Sequence, residues 1–508
     1  MELTSIKEDD VCSFSPLFRM VNEQHAVGLI GWENGLESWL HHTHAIVLAL
    51  CNGVNTVGQI AEITKPFTHK TDPKEAYEAA LSQVKAIIST FSMPKDEREG
   101  KGKIDYVPQY PLAPVVPVCD VPHFRAFRNP AYDANKLTPE HAYPPGKYPL
   151  KIKSRAPHRI IMHLTSACAV DCKYCYLKRR NIHNSELVPF TRMREIIREC
   201  QELGVANIDA NGGDVLLYPH LIEFIRELDE CNFLPLRLST KARLTREMAE
   251  QLADVGNIGE MQFSLDSTVE EIEDFLINKP GGYKTIMQSI DNALAVGLPV
   301  VVKSVITPYN ILTVPKLYRE MKQKGVSLIR LAAYGRSGYH HTDDLFNTSE
   351  GVDWLQQELD KLREEFPDDM INLQNGGPVL GPMSQKQKEE KWPERSMCTS
   401  GRQALTVCSD GTVIPCEQMQ ESPDTFCGNL IKQSVKEVWE SERYNQMTAL
   451  PPRHFFSGWP CETCPEFDPC ITERGYCFRD TYQHYGHQFM TPVECPKSDP
   501  DVRFVRTL

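Results

Sequence analysis

The chain has 508 residues, long for one domain, with 41% apolar and 24% charged residues, ordinary values for a globular protein. Its net charge of −13 argues against a broad nucleic-acid surface, which needs clustered Lys and Arg. No run of 18 apolar residues spans a membrane, and the first ten residues lack the basic and apolar regions of a signal peptide, so a cytoplasmic protein is expected. Seventeen cysteines in such a compartment are not a disulfide framework, and their tight clustering points to metal.

In chain order, the first 95 residues read as a small α+β unit. Three strand-like runs, 17–21, 25–32 and 37–40, are punctuated by Asn34-Gly35, a hairpin signal. Helical segments follow at 45–51, 57–64 and 73–90, with Asn52-Gly53 read as a turn between the first two. Three strands followed by three helices resemble the PqqD-like recognition element, a winged-helix-like fold. The resemblance implies that residues 1–95 bind the leader segment of a ribosomally made precursor peptide, by adding it as a strand to a free sheet edge. A DNA-binding winged helix is disfavoured by the acids Asp72, Glu75 and Glu78 on the third helix. Residues 96–156 recur in proline and read as a connector, either a tether or an ordered strap.

From Arg159 strands alternate with amphipathic helices, the signature of parallel βαβ units. Strands are expected at 160–164, 205–210, 234–239, 259–265, 299–306 and 327–333, with helices at 191–204, 220–232, 245–254, 284–297 and 314–324 between them. Residues 157–385 therefore read as α/β, a partial barrel of six βα repeats whose ligands bind at the carboxyl ends of the strands.

Directly after the first of these strands stand Cys168, Cys172 and Cys175, spaced C-x3-C-x2-C. A cubane iron–sulfur cluster normally takes four thiolates; three leave one iron open. A zinc knuckle would need a fourth ligand, and neither His163 nor His183 stands at a zinc-finger spacing. This spacing, with Tyr174 just before the last cysteine, resembles the radical S-adenosylmethionine (SAM) superfamily. The resemblance implies that SAM chelates the open iron and is cleaved by a cluster electron to a 5′-deoxyadenosyl radical. Gly212-Gly213-Asp214, closing the second strand, resembles the Gly-Gly-Glu motif that receives the amino group of SAM, with a shorter acid in place of Glu. Thr240, Ser264 and Asp266, at the ends of the third and fourth strands, match polar positions lining that pocket; Lys303 and Asn310 are weaker candidates.

Residues 386–508 carry a second array: Cys398, Gly411-x4-Cys416, Cys461-x2-Cys464-x5-Cys470, Cys477 and Cys495. It resembles the SPASM extension, apart from six residues instead of three before Cys477. The resemblance implies two auxiliary 4Fe–4S clusters, one on Cys461, Cys464, Cys470 and Cys495, the other on Cys398, Cys416 and Cys477. Cys408 and Cys416 are expected at opposite ends of a hairpin, which leaves Cys427 or an open site for the fourth position. Two structural zinc sites are the competing reading.

Together these resemblances imply a radical SAM peptide maturase with three 4Fe–4S clusters. Its partners would be a precursor peptide and an electron donor such as flavodoxin or ferredoxin, with neither nucleic acid nor membrane. The expected product is a C–C or C–S cross-link. Competing activities are core-residue epimerisation, a sulfatase-type oxidation of Cys or Ser, and non-catalytic electron carriage. No residue of the sequence identifies itself as a catalytic acid, base or hydrogen donor.

Overall fold

The computed structural model describes residues 6–15, 18–22, 27–31, 35–92, 114–117, 153–177, 187–335, 337, 340, 342–374, 384–395, 398–419, 422–475 and 477–498. The chain divides into two compact units: residues 1–150 with 200–208 and 227–235, and the remainder.

In the first unit, β1 (Val11–Phe14), β2 (Phe18–Asn22), β3 (Val27–Gly31), β4 (Gly35–Leu40), β5 (Asn52–Thr56) and β6 (Val115–Pro117) form two three-stranded sheets, ordered β5-β1-β6 and β2-β3-β4. The three expected strands are β2 to β4, an antiparallel meander in which Gly31 faces Gly35; Asn34 lies outside the described residues. Helices His42–Leu50, Val57–Thr64 and Pro73–Phe91 follow. Thr56 and Gln59 make a reciprocal capping box at the second, and Asp72 caps the third with Pro73 in its first turn. Two expectations are revised. Asn52-Gly53 is not a simple turn but opens β5, which pairs antiparallel with β1. The connector contributes β6, where Val115, Val116 and Pro117 pair with Phe14, Ser13 and Cys12; most of the rest of 96–156 lies outside the described residues. Nor is the unit closed by its first 95 residues: Val115, Ala206 and Leu234 are buried in the same core as Phe18, Met20, Leu29, Leu48, Ile60, Val84 and Ile88.

The second unit is built on a ten-stranded sheet. Its centre is β7 (Arg159–Thr165), β8 (Asn207–Gly212), β9 (Leu236–Thr240), β10 (Ile258–Ser264), β11 (Val300–Ile306) and β12 (Leu328–Ala333), adjacent in chain order. From β8 to β12 neighbouring strands run parallel. Helices Phe190–Leu203, Leu221–Glu230, Arg246–Val255, Gly282–Leu294 and Val314–Lys324 make the crossovers. This is the expected α/β architecture, a partial barrel of six βα repeats. Short β13 (Leu373–Gln374) extends it beside β12. At the other edge the cysteine-rich region adds β14 (Ala404–Val407), β15 (Thr412–Ile414) and β16 (Gly428–Asn429). The hairpin β14–β15 was expected; that β14 pairs parallel with β7, Leu405 opposite Ile160, was not. No helix among the described residues is long and apolar enough to cross a membrane.

Leu405, Ile160 and Val407 are all within 1% of full burial at this junction. Leu405→Ala should therefore lower stability by about 2–5 kcal/mol, the range for emptying a buried Leu site. A urea titration followed by tryptophan fluorescence should show an earlier midpoint; an unchanged midpoint would mean that the junction is not a packed part of the sheet.

Candidate metal centre and cofactor pocket

The loop after β7 carries Cys168, half-buried, Cys172, buried, and Cys175, half-buried. It is anchored on both sides. The Asp171 and Lys173 amides donate to the carbonyls of Ile277 and Leu276, at 2.9 and 3.0 Å. The Cys175 carbonyl accepts from Ser337 Oγ at 2.6 Å. Burial pushes the Cys172 thiol up, and Cys175 and Cys168 push it further, so the three sulfurs share one electrostatic neighbourhood. Among the described residues no three His, Cys, Asp or Glu side chains converge on a single-ion site. Three thiols on one short anchored loop suit a cluster that needs thiolates at its corners.

Gly212-Gly213-Asp214 lies directly against that loop. The Gly213 amide donates to Thr165 O at 2.7 Å and the Asp214 amide to Ala167 O at 2.8 Å. A Cβ on Gly212 would come within 2.3 Å of Thr165 O, and one on Gly213 within 2.1 Å of Ala167 O. Gly212 also has φ +131°, which a side chain disfavours. Both glycines are thus required by the close approach, as a backbone cradle beside the thiols demands.

Asp214, the shorter acid of the motif, holds its carboxylate within the protein. The side chain is 2% exposed, and both oxygens are already engaged. Oδ1 accepts from Thr240 Oγ1 at 2.7 Å and the Leu216 amide at 3.2 Å. Oδ2 accepts from the Lys241 and Ala242 amides, both at 2.8 Å, and Thr240 Oγ1 at 2.9 Å. The shorter acid reaches back into the protein, tying the end of β8 to the end of β9. Thr240 is likewise engaged by Asp214 and is 3% exposed.

Asp266 is fully buried and equally engaged. Oδ1 accepts from the Val305 amide at 2.8 Å, and Oδ2 accepts from Lys241 Nζ at 3.0 Å and from the Tyr174 hydroxyl. Ser264 is half-buried; its carbonyl accepts from Lys241 Nζ at 3.1 Å, and its position opposite Lys303 on β11 puts it on the inner face. Asn310, fully buried, accepts from Thr307 N at 2.8 Å and donates to Asp266 O at 2.7 Å, a turn lock and not a ligand contact. Lys241, Tyr174 and Glu273 were missed as members of this network. Tyr174 carried a signal, being the aromatic before Cys175. Lys241 carried none, since a buried lysine looks like any surface lysine in sequence. Glu273 sits in the acid-rich Glu270–Leu276, which reads as solvated, yet accepts from the Asp266 and Ser267 amides at 2.7 and 2.9 Å.

The downstream cysteines fall into two sets. Burial pushes the Cys461 thiol up to about 11, with Cys495, Cys470 and Cys464 adding to it. Cationic donors reach these sulfurs: Arg395 Nη2 lies 3.1 Å from Cys470 Sγ and Lys497 Nζ 3.0 Å from Cys464 Sγ. In the other set, burial pushes Cys416 up to about 12, and the Cys398 thiol is felt at both Cys416 and Cys477. Cys408 sits at the turn end of the β14–β15 hairpin, its amide donating to Thr412 O at 2.7 Å, and Cys416 follows the other end of β15. Buried Cys427 points its sulfur at Thr425 O, 3.4 Å away. No disulfide joins the described cysteines.

Asp214→Ala should leave the buried Lys241 and Ala242 amides without an acceptor, a penalty of about 1–3 kcal/mol. The glycine cradle should then loosen: iron content holds while SAM binding, read by calorimetry, weakens by roughly 5- to 150-fold, the same range expressed as affinity. SAM affinity equal to the unsubstituted chain would show that the cradle does not depend on this tie.

Comparison with known proteins agrees with the geometry. Residues 162–321 match the family model of the Radical SAM superfamily, and residues 398–465 match that of the SPASM iron–sulfur cluster-binding domain. A PqqA peptide cyclase from Streptomyces rochei is 23% identical over 349 residues, covering 67% of this chain and 89% of the relative. The crystal structure of Streptococcus suis SuiB bound to S-adenosylmethionine superposes with a TM-score of 0.58 at 14% identity, covering 96% of this chain and 99% of that one. SuiB bound to its precursor peptide SuiA gives 0.59 at 14% identity with the same coverage. The chain therefore carries a radical SAM domain, built on the barrel and its three-thiol loop, followed by a cysteine-rich SPASM domain.

Proposed function

We propose that this protein is a cytoplasmic peptide maturase that uses SAM to modify a ribosomally made precursor peptide, joining core residues by a C–C or C–S cross-link. The observation that carries the reading is the three-thiol loop on a glycine cradle at the carboxyl ends of the barrel strands, in one chain with two further thiol sets and an N-terminal sheet whose outer strands have no further partner among the described residues. The likeness to a PqqA peptide cyclase and to the fold of SuiB, solved with a precursor peptide, supports it.

When bound, the cluster and SAM would supply the electron and the 5′-deoxyadenosyl radical that removes a hydrogen atom from an unactivated carbon. Cys168, Cys172 and Cys175 would hold that cluster. Cys461, Cys464, Cys470 and Cys495 would hold a second, and Cys398, Cys416 and Cys477 a third, giving three 4Fe–4S centres. A flavodoxin or ferredoxin is the class of donor such centres need.

The chain's own residues shape the reaction space. The inner face of the barrel is polar: Gln262 Nε2 donates to Ser239 Oγ at 2.7 Å, and Arg159 pairs with Asp209 and Arg330 with Glu260. Glu417, directly after Cys416, reaches Asn211 on β8 at 3.1 Å, so the first SPASM thiols stand beside the barrel's inner residues. Lys303 occupies the same inner row, between Ser264 and Arg330. Among the described residues no hydrogen bond or ion pair engages its amine. These groups would orient a peptide segment by hydrogen bonds and confine it away from bulk water.

The leader would dock on the meander of the N-terminal unit. In that sheet β2 and β4 each pair only with β3 among the described residues, leaving an edge on either side. Because Val115, Ala206 and Leu234 complete the unit's core, docking belongs to the intact chain and not to residues 1–95 alone.

Two tests follow. Anaerobic reconstitution should load about twelve irons, and replacing Cys168, Cys172 and Cys175 by Ala should leave about eight and abolish SAM cleavage; about four irons in the unsubstituted chain would contradict the SPASM centres. For the peptide, the full chain should bind a labelled product of a short neighbouring reading frame at micromolar Kd, about −8 kcal/mol. Glu37 has no register partner on β3, so Glu37→Pro should weaken that binding several-fold without changing SAM cleavage. No binding at high micromolar peptide would remove the leader-docking role.

A further inference from the structure

We propose that Lys241 is a positioning residue for the first cluster: its buried ammonium, clamped between Tyr174 and Asp266, orients the aromatic ring that precedes Cys175 and keeps the reduction potential of the cluster on Cys168, Cys172 and Cys175 from falling. The proposal rests on the reading that those three thiols hold an iron–sulfur cluster.

Lys241 follows β9 and is 9% exposed. Removing an ammonium from water is costly unless good acceptors replace the solvent. Here all three of its protons find one. Nζ donates to the Tyr174 hydroxyl at 2.9 Å, to Ser264 O at 3.1 Å and to Asp266 Oδ2 at 3.0 Å. Glu273 Oε1 stands 3.8 Å away. Tyr174 donates in turn to Asp266, closing a three-membered ring of lysine, phenol and carboxylate.

An ion pair serving the fold alone would be complete with Asp266 and Glu273. The bond to Tyr174 is different, because that residue lies inside the cysteine motif. It makes the position of the loop depend on a fixed positive charge. Burial opposes the charge of Lys241, but Asp266 and Glu273, both facing its amine, favour it, so the ammonium persists. Reducing a cluster adds negative charge, and in a site of low dielectric a neighbouring cation favours that form. Asp266 acts with the opposite sign from the other side of the same ring.

The test is a redox titration of the full-length, anaerobically reconstituted chain, followed by EPR. The signal to track is the one that changes when SAM is added and that is lost when Cys168, Cys172 and Cys175 are replaced by Ala. Lys241→Gln keeps polar contacts but removes the charge: iron content should hold and the midpoint of the SAM-responsive cluster should move to a more negative potential. Lys241→Arg keeps the charge, and its midpoint should stay with the unsubstituted chain. If the glutamine variant fails to load iron, Asp266→Asn reads the same field with the sign reversed, and its midpoint should rise. An unmoved midpoint in Lys241→Gln, equal shifts in the Gln and Arg variants, or no rise in Asp266→Asn would overturn the role and leave Lys241 a packing residue. A chain with no SAM-responsive signal at all would overturn the cluster reading itself, and the proposal with it.

Discussion

Two buried carboxylates hold the carboxyl ends of the barrel strands in register, and the rest of the site depends on them. Asp214 collects three backbone amides and the Thr240 hydroxyl, joining the ends of β8 and β9. Asp266 collects the Val305 amide, Lys241 and Tyr174, joining β10, β11, the end of β9 and the cysteine loop. A carboxylate in such surroundings is tolerated only when its oxygens are fully hydrogen-bonded. Each acid therefore demands that several loops be in place at once. The glycine cradle adds the complementary constraint: Gly212 and Gly213 let the β8 loop press against the chain just before Cys168. Loop ends that would otherwise be separate become one rigid floor, as a site that orients a reactive cofactor requires.

The two downstream thiol sets differ in their electrostatic surroundings. The set around Cys461 receives charge-assisted contacts from Arg395 and Lys497 directly on sulfur. The set around Cys398 is flanked by Arg479, which is paired with Asp480, and by Glu417, whose carboxyl burial raises. Hydrogen bonds and net charge near sulfur set cluster potentials. The sulfurs around Cys461 have direct cationic donors, whereas Glu417, next to Cys416, accepts from Asn211 on β8.

Much of this was legible in sequence because it is local. Spacing of three cysteines, glycines closing a strand, and the alternation of βα units each lie within a few dozen residues. The six barrel strands and their helices stand within a few residues of where periodicity put them. What sequence could not show is pairing across long separations. β14 joins β7 although some 240 residues intervene, and Val115–Pro117 of the connector joins β1. Neither strand announces its partner. Side-chain direction was equally hidden: Asp214 and Thr240 look like pocket residues by position, yet turn toward each other. Lys241 illustrates the point most sharply, since a lysine two residues from the end of a strand pattern gives no hint that it is buried.

The central claim is that the loop of Cys168, Cys172 and Cys175 holds a cluster with one iron open to SAM. Electron–nuclear double resonance on the reduced, reconstituted chain tests it directly, with SAM carrying 15N in its amino group and 17O in its carboxylate. The account expects hyperfine coupling of both labels to the cluster, lost when the three cysteines are replaced. Bound SAM without coupling from either label, or coupling that survives loss of those cysteines, would contradict it.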